Sequence, residues 1–267
     1  MIRVFRVTLP ALAAVLFLSC EEVINLDLSD VQNQVVIEGI LSSSPSSSKI
    51  SVSLTQSAFE KSEPVALRGA VVTLSDDQGT TEVVKEGPAG VFVPTVITGS
   101  PGRSYHLTVA VAGQEYSADS RMPAPMSLDS VRLTTSSSWP KLFGSTVLKY
   151  YLTDKPGVEE YCLIKAYNEN SSSFIWTIYS DKYSDGKQVI LESPTFVPTS
   201  STVIVEVIAV DRAAYDYFYS LRDALPEGLS IPDWLLMTDY NPKSNLTNNA
   251  LGYFSAQSVM RYTVSVR

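Results

Sequence analysis

From Ser104 to Val111 the chain alternates without interruption, with Tyr105, Leu107, Val109 and Val111 on one side and Ser104, His106 and Thr108 on the other. Side chains of an extended strand point to opposite faces in turn, so this period of two makes one apolar face and one wet face and excludes a helix. Such a strand is not stable alone; it needs sheet neighbours and a second layer over its apolar face. The pattern recurs where Ile50, Val52 and Leu54 alternate with Ser51, Ser53 and Thr55. The stretches 35–41, 70–75, 81–85 and 114–120 read as further strands. Turn residues separate them at Asp76-Asp77-Gln78-Gly79, Gly87-Pro88-Ala89-Gly90 and Ala112-Gly113. Residues 35–122 are therefore expected to form a small β-sandwich of immunoglobulin or transthyretin type. Within it, Pro101-Gly102-Arg103-Ser104-Tyr105 places Tyr105 as a tyrosine corner.

Met122-Pro123-Ala124-Pro125-Met126 breaks the pattern, because two prolines favour extended backbone and cannot continue a ladder. A Pro-rich linker over 123–127 and a second β-domain over 128–267 follow from that break. Strands are expected at 128–135, 146–152, 161–167, 174–179, 202–210, 251–254 and 258–266. Asp211 reads as a helix cap, and Ala214, Tyr217, Phe218, Leu221 and Leu225 recur at helical spacing until Pro226. The composition changes at the linker: all three Trp and twelve of the 14 Tyr lie beyond it. This half is expected to be an aromatic-rich β-sandwich or partly closed barrel with one short helix. The chain as a whole is mainly β.

The first 19 residues follow a different logic. Arg3 and Arg6 precede an apolar run from Val7 to Leu18, then Ser19, Cys20 and the acidic pair Glu21-Glu22. At about 1.5 Å of rise per residue the run falls well short of a ~30 Å hydrocarbon core, so it reads as a signal peptide over 1–19. A signal ending at cysteine predicts lipid attachment at Cys20, followed by an acidic tether over 20–34. Membrane attachment would come from the acyl chains, each buried methylene contributing about 0.8 kcal/mol. Loss of the signal removes two basic residues and no acidic one, so the net charge moves from −8 to −10. Repulsion from phosphate then argues against a nucleic-acid partner. With Cys20 lipidated, Cys162 is left unpaired in an apolar strand, where a buried small hydrophobe is the expected role.

Catalytic chemistry finds little purchase. His106 is the single histidine, and no H-E-x-x-H, cysteine pair, P-loop or G-x-S-x-G occurs. Neither a cofactor nor a metal is expected. Paired carboxylates suffice for glycoside hydrolysis, and Asp76-Asp77 and Glu159-Glu160 are the adjacent pairs. Both sit beside turn signals, and neighbouring residues of a strand point to opposite faces. Trp139, Tyr183 and Trp234 lie in loop-like contexts, where rigid aromatics serve as partner or ligand contacts, against sugars or against protein. Asp129-Ser130-Val131 resembles a short bacterial O-glycosylation motif, with Ser130 as acceptor.

Several stretches taken in order resemble a family of Bacteroidota outer-membrane lipoproteins known as domain of unknown function 4249. They are Cys20 to Asp27, Val36-Ile37-Glu38-Gly39, Gly69 to Asp76, Thr153-Asp154-Lys155-Pro156-Gly157, Asn241 to Leu246, and Leu251-Gly252-Tyr253-Phe254. The chain departs from the family pattern at Asn249-Ala250, where a glycine is more usual. The resemblance implies an outer-membrane, surface-exposed lipoprotein associated with TonB-dependent receptors, and makes Glu21 and Glu22 candidate export determinants. Together with the residues it implies a non-enzymatic binding or accessory module of a TonB-dependent nutrient-uptake system with a glycan or peptide ligand. The alternatives are a surface glycan-active enzyme using paired carboxylates and a structural or assembly factor of the envelope.

Overall fold

The computed structural model describes residues 33–56, 64–135, 146–168, 174–194, 202–223 and 241–265. Its strands are β1 (Val35–Ser42), β2 (Lys49–Leu54), β3 (Val65–Ala66), β4 (Val71–Asp76), β5 (Thr81–Val84), β6 (Val91–Phe92), β7 (Ser104–Val111) and β8 (Gln114–Arg121). Beyond the prolines come β9 (Ser130–Thr135), β10 (Thr146–Thr153), β11 (Tyr161–Asn168), β12 (Phe174–Ser180), β13 (Gln188–Pro194), β14 (Thr202–Ala209), helix α1 (Arg212–Asp223) and β15 (Leu251–Ser265). The alternation at β7 does what its period requires: Tyr105, Leu107, Val109 and Val111 are all buried, and the intervening residues are not. Sheet β5-β4-β7-β8 packs this face against β1, β2 and β6, where Ile37, Leu41, Ile50, Val52 and Phe92 complete the first core. Tyr105 is a tyrosine corner as expected: its hydroxyl donates to the Thr98 carbonyl at 3.2 Å and accepts from the Ser100 N–H at 2.8 Å.

The second core lies between β13-β10-β9 and the β12-β11-β14-β15 end of the larger sheet. Leu148, Tyr150 and Leu152 of β10 meet Cys162, Ile164, Val205 and Val207 across it. Both layers are open sheets, so this half is a sandwich and not a partly closed barrel. β13 and the short β3 and β6 fall where no strand is expected from the sequence. β9 starts two residues later than its apolar run suggests.

The largest departure concerns the boundary between the halves. Two C-terminal strands were expected, both in the second domain. They are one strand of 15 residues, β15, which at about 3.3 Å per residue is long enough to serve both sandwiches. Its first half pairs in parallel with β1, matching Val36, Ile37, Glu38 and Gly39 to Leu251, Gly252, Tyr253 and Phe254. Its second half pairs antiparallel with β14, from Ser258 against Ala209 to Ser265 against Thr202. Leu246, Ala250, Phe254 and Ala256 consequently belong to the first core, and one sheet runs through both sandwiches. The Pro-rich segment is thus not the only connection between them.

Three of the stretches that carry the family resemblance converge at Phe254. The Asn245 side chain donates to the Phe254 carbonyl at 2.8 Å and accepts from its N–H at 2.9 Å, giving that residue the ladder partner it lacks on that side. Gly39 lies opposite, where a Cβ would stand 2.9 Å from the Phe254 ring.

Glu82 of the edge strand β5 is the most heavily bonded buried carboxylate among the described residues. It accepts from the N–H groups of Thr95, Val96 and Ile97 at 2.7, 3.0 and 2.8 Å, and from the Thr95 hydroxyl at 3.1 Å. Burial alone would raise its pKa, but these donors outweigh burial and hold it below the ordinary range. The stabilisation is therefore present above the unfolded-state pKa of about 4.3 and is lost as pH falls through the folded value. Glu82→Gln should cost about 2 kcal/mol at neutral pH. In urea melts from pH 7 to pH 3 the gap between variant and wild type should narrow; a constant gap would mean that the charge contributes nothing.

Candidate functional site

Of the three aromatic residues expected to meet a partner, Tyr183 can be placed; Trp139 and Trp234 lie outside the described residues, as do Cys20, Glu21 and Glu22. Tyr183 is 84% exposed at the tip of the connection from β12 to β13, the most exposed large hydrophobic residue described. The loop that carries it is fastened to the connection from β10 to β11. Asp154, only 1% exposed, accepts from the Gly186 N–H at 2.8 Å, and its own N–H donates to the Lys187 carbonyl at 3.1 Å. In return, the Gly157 N–H donates to Asp185 Oδ1 at 2.7 Å and the Glu160 N–H to Asp181 Oδ2 at 3.0 Å. Inside the turn, Tyr179 and Ser184 share a hydroxyl hydrogen bond of 2.9 Å, and the Ser184 N–H donates to the Asp181 carbonyl at 2.7 Å.

Sequence composition dictates much of this. Ser184-Asp185-Gly186 is a turn signal, and Gly186 takes a φ of 69° that side chains resist. Pro156 packs against Gly186, with its Cγ 3.2 Å from where a Cβ would be. Burial raises the pKa of Asp181; the Glu160 N–H opposes that effect, and the Asp154 carboxylate adds to it. Burial also pushes the Tyr179 hydroxyl up to about 12, so it stays protonated as a donor. The arrangement holds an exposed ring on an already ordered loop, which lowers the conformational entropy lost when the ring is covered.

The remaining candidates stand in other surroundings. Asp76 and Asp77 do not diverge as strand neighbours would, because Asp77 already belongs to the turn. Both converge on Arg103, its Nη2 2.8 Å from Asp76 and its Nε 3.0 Å from Asp77. Burial raises the Asp76 pKa, but the Thr80 and Gln78 N–H groups and Arg103 outweigh it; the Ser104 N–H and Arg103 lower that of Asp77. Both stay ionised at neutral pH, whereas a glycosidase pair needs one protonated acid. Glu160 is tied to Lys155 at 2.9 Å, and Glu159 accepts from the Tyr161 hydroxyl at 3.2 Å.

His106 pairs with Asp119 at 2.7 Å on the exposed face of β7. Cys162 is fully buried, and that burial pushes its thiol pKa upward, away from nucleophilic chemistry. Ser130, the candidate glycosylation acceptor, opens β9 opposite Tyr151 and is half-buried. Trp176 packs edge-on against Phe218 of α1 with centroids 6.2 Å apart, a packing role. Among the described residues no group of three or more His, Cys, Asp or Glu could hold a metal, and no helix is long and apolar enough to cross a membrane.

Comparison with solved structures returns matches at very low similarity. A two-domain fibronectin type III segment of chicken tenascin is 8% identical, covering 67% of this chain and 91% of its own, with a TM-score of 0.22. A cytokine receptor complex is 13% identical, covering 86% and 95%, with a TM-score of 0.24. The chicken interferon gamma receptor alpha chain is 10% identical, covering 67% and 89%, with a TM-score of 0.20. No curated protein matches the chain in sequence. The model of a domain of unknown function, DUF4249, matches residues 21–263, nearly the whole chain that follows Cys20, and the protein belongs to that family.

Proposed function

We infer that the protein is a lipid-anchored, surface-exposed lipoprotein of a Bacteroidota outer membrane, acting as a non-enzymatic binding or accessory module of a TonB-dependent nutrient-uptake system. The observation that carries this reading is the Tyr183 loop, an exposed aromatic on a turn fastened by buried carboxylates. Of the carboxylates that could have served hydrolysis, Asp76 and Asp77 are held ionised by backbone N–H groups and Arg103, and Glu160 is paired with Lys155. The signal-like start that ends at Cys20 supplies the membrane side of the reading.

Isolation of the tagged full-length protein from native outer membranes tests the role. A TonB-dependent receptor should copurify in about equal amount; glycan turnover without a receptor would overturn the reading. Tyr183→Ala should weaken that association by about 2 kcal/mol, roughly 30-fold. Its melting temperature should stay near wild type, because so exposed a ring contributes little to folding.

Anchoring has its own test. Cys20→Ala should abolish acyl labelling and release the protein from the membrane fraction, and unchanged fractionation would overturn the anchor. Replacing both Glu21 and Glu22 by Ala should leave the lipid in place while hiding the protein from protease added to whole cells.

A further inference from the structure

β12 ends the larger sheet, with β11 on one side and no strand on the other among the described residues. The Asp181 N–H donates to the Glu160 carbonyl at 3.2 Å, and in an antiparallel pair such bonds recur at every second residue. Tyr179, Thr177 and Ile175 therefore bond to β11, while the N–H and C=O groups of Phe174, Trp176 and Ile178 point to the open edge. Among the described residues nothing pairs with these main-chain groups. Phe174, Ile175, Trp176 and Thr177 are only half-buried, although the Trp176 ring packs on Phe218.

The other edges are protected. Beside β8, the Thr247 N–H donates to the Ser117 carbonyl at 2.9 Å, the Ser117 N–H to the Thr247 hydroxyl at 2.8 Å, and Asn248 Nδ2 to the Glu115 carbonyl at 2.6 Å. β3, β5 and β6 have no more than four residues each. β9 carries Arg132, and β13 carries Glu192 and ends in Pro194. Short length, charge and proline are the usual means of keeping a foreign strand off an edge. β12 has none of them: its seven residues, Phe174 to Ser180, are uncharged and mostly aromatic or β-branched. At about 3.3 Å per residue the edge is roughly 20 Å long. Left bare, a strand of this kind is a template for aggregation, which a bound partner prevents.

A row of alternating donors and acceptors is matched by another extended main chain. Two copies of a chain of net charge −8 repel each other, which favours a different protein over a second copy. We propose that the free edge of β12 takes an extended segment of a protein partner as an added strand. The segment is uncharged, and its alternate side chains meet Phe174 and Trp176 on one face and Ile175 and Thr177 on the other. This rests on the accessory-module reading and adds to it how the partner is held.

Copurification of the tagged full-length protein with its receptor from native outer membranes tests the edge through two variants at one position. Phe174 opens β12 with its N–H outward, so proline there breaks no bond to β11 but removes a donor and puts a ring in the path of an added strand. Alanine keeps the N–H and loses the same side chain, including the contact of Lys165 Nζ, 4.1 Å from the ring centroid. Phe174→Pro should cut the recovered receptor by about tenfold or more, and Phe174→Ala should leave it near wild type, with the two variants melting alike. If proline lowers the melting temperature further than alanine, amide exchange in the wild type decides. The Trp176 and Ile178 N–H groups should slow when the receptor is bound, while those of Ile175 and Thr177, already bonded to β11, stay as they are. Unchanged exchange at Trp176 and Ile178, or equal recovery with all three proteins, would overturn strand addition and leave the accessory role standing. No receptor with the wild type would overturn both. Equal losses for proline and alanine would assign the contact to the Phe174 side chain, and a second copy of this chain in place of the receptor would make the edge a dimer interface; either overturns the proposal.

Discussion

Gly252→Ala should cost about 2.5–5 kcal/mol of folding stability. Gly252 has a φ of 92°, and an added Cβ would collide with the Ile37 carbonyl oxygen, with the carbonyl carbon only 2.8 Å away. Two costs combine. Left-handed backbone costs a residue with a side chain about 1–2 kcal/mol. The clash is with backbone, so no rotamer change relieves it; β15 must move off β1 just where Phe254 is fully buried in the first core. Partial loss of that burial adds about 1.5–3 kcal/mol. A sum of about 2.5–5 kcal/mol is a large share of the 5–15 kcal/mol that ordinarily stabilises a domain. Gly113→Ala is the matched control: its φ is 76°, but nothing lies within 4 Å of the added carbon. That variant should lose only about 1 kcal/mol in urea unfolding. If the two variants unfold at similar denaturant concentrations, the approach of β15 to β1 does not limit stability.

The same strand marks what could be read from the sequence and what could not. Period-two patterning identifies which side chains face a core, and it located β7, β8 and most of their neighbours. It does not say which strand lies alongside. β1 and β15 pair across more than 200 residues, and nothing local to Val36-Ile37-Glu38-Gly39 announces its partner. One signal was present: Gly252 to Ser258 is buried throughout, and a run of small and apolar residues without alternation is what a strand covered on both faces requires. Asp211 and Tyr105 were legible because caps and corners are local. The Tyr183 turn was legible for the same reason, through Ser184-Asp185-Gly186. Its fastening was not, because Asp154 and Gly186 meet from loops some thirty residues apart and neither sequence names the other.

Asp211→Ala should cost about 3–4 kcal/mol, far more than an ordinary helix cap. Its Oδ1 accepts from the Ala214 N–H at 2.9 Å, as a cap should. Its Oδ2 reaches the first sandwich, accepting from the Ser120 hydroxyl at 2.5 Å and the Arg121 N–H at 3.2 Å. Ser120 is buried and in turn accepts from the Ala256 N–H at 2.9 Å, so one carboxylate ties α1 to β8 and, through it, to β15. Loss of a cap alone is worth about 1 kcal/mol. Hydrogen bonds to a charged acceptor add about 1.5–3 kcal/mol each and are not fully additive, because Ser120 keeps one partner. For a chain of this size the melting temperature should fall by roughly 6–16 °C. Asp211→Asn keeps the cap but aims an amide where two donors converge, so it should fall between wild type and alanine. Hydrogen exchange in Asp211→Ala should speed up in β8 as well as in α1. A loss of about 1 kcal/mol with protection changed in α1 alone would show that Asp211 acts only as a cap, leaving β15 as the tie between the two sandwiches.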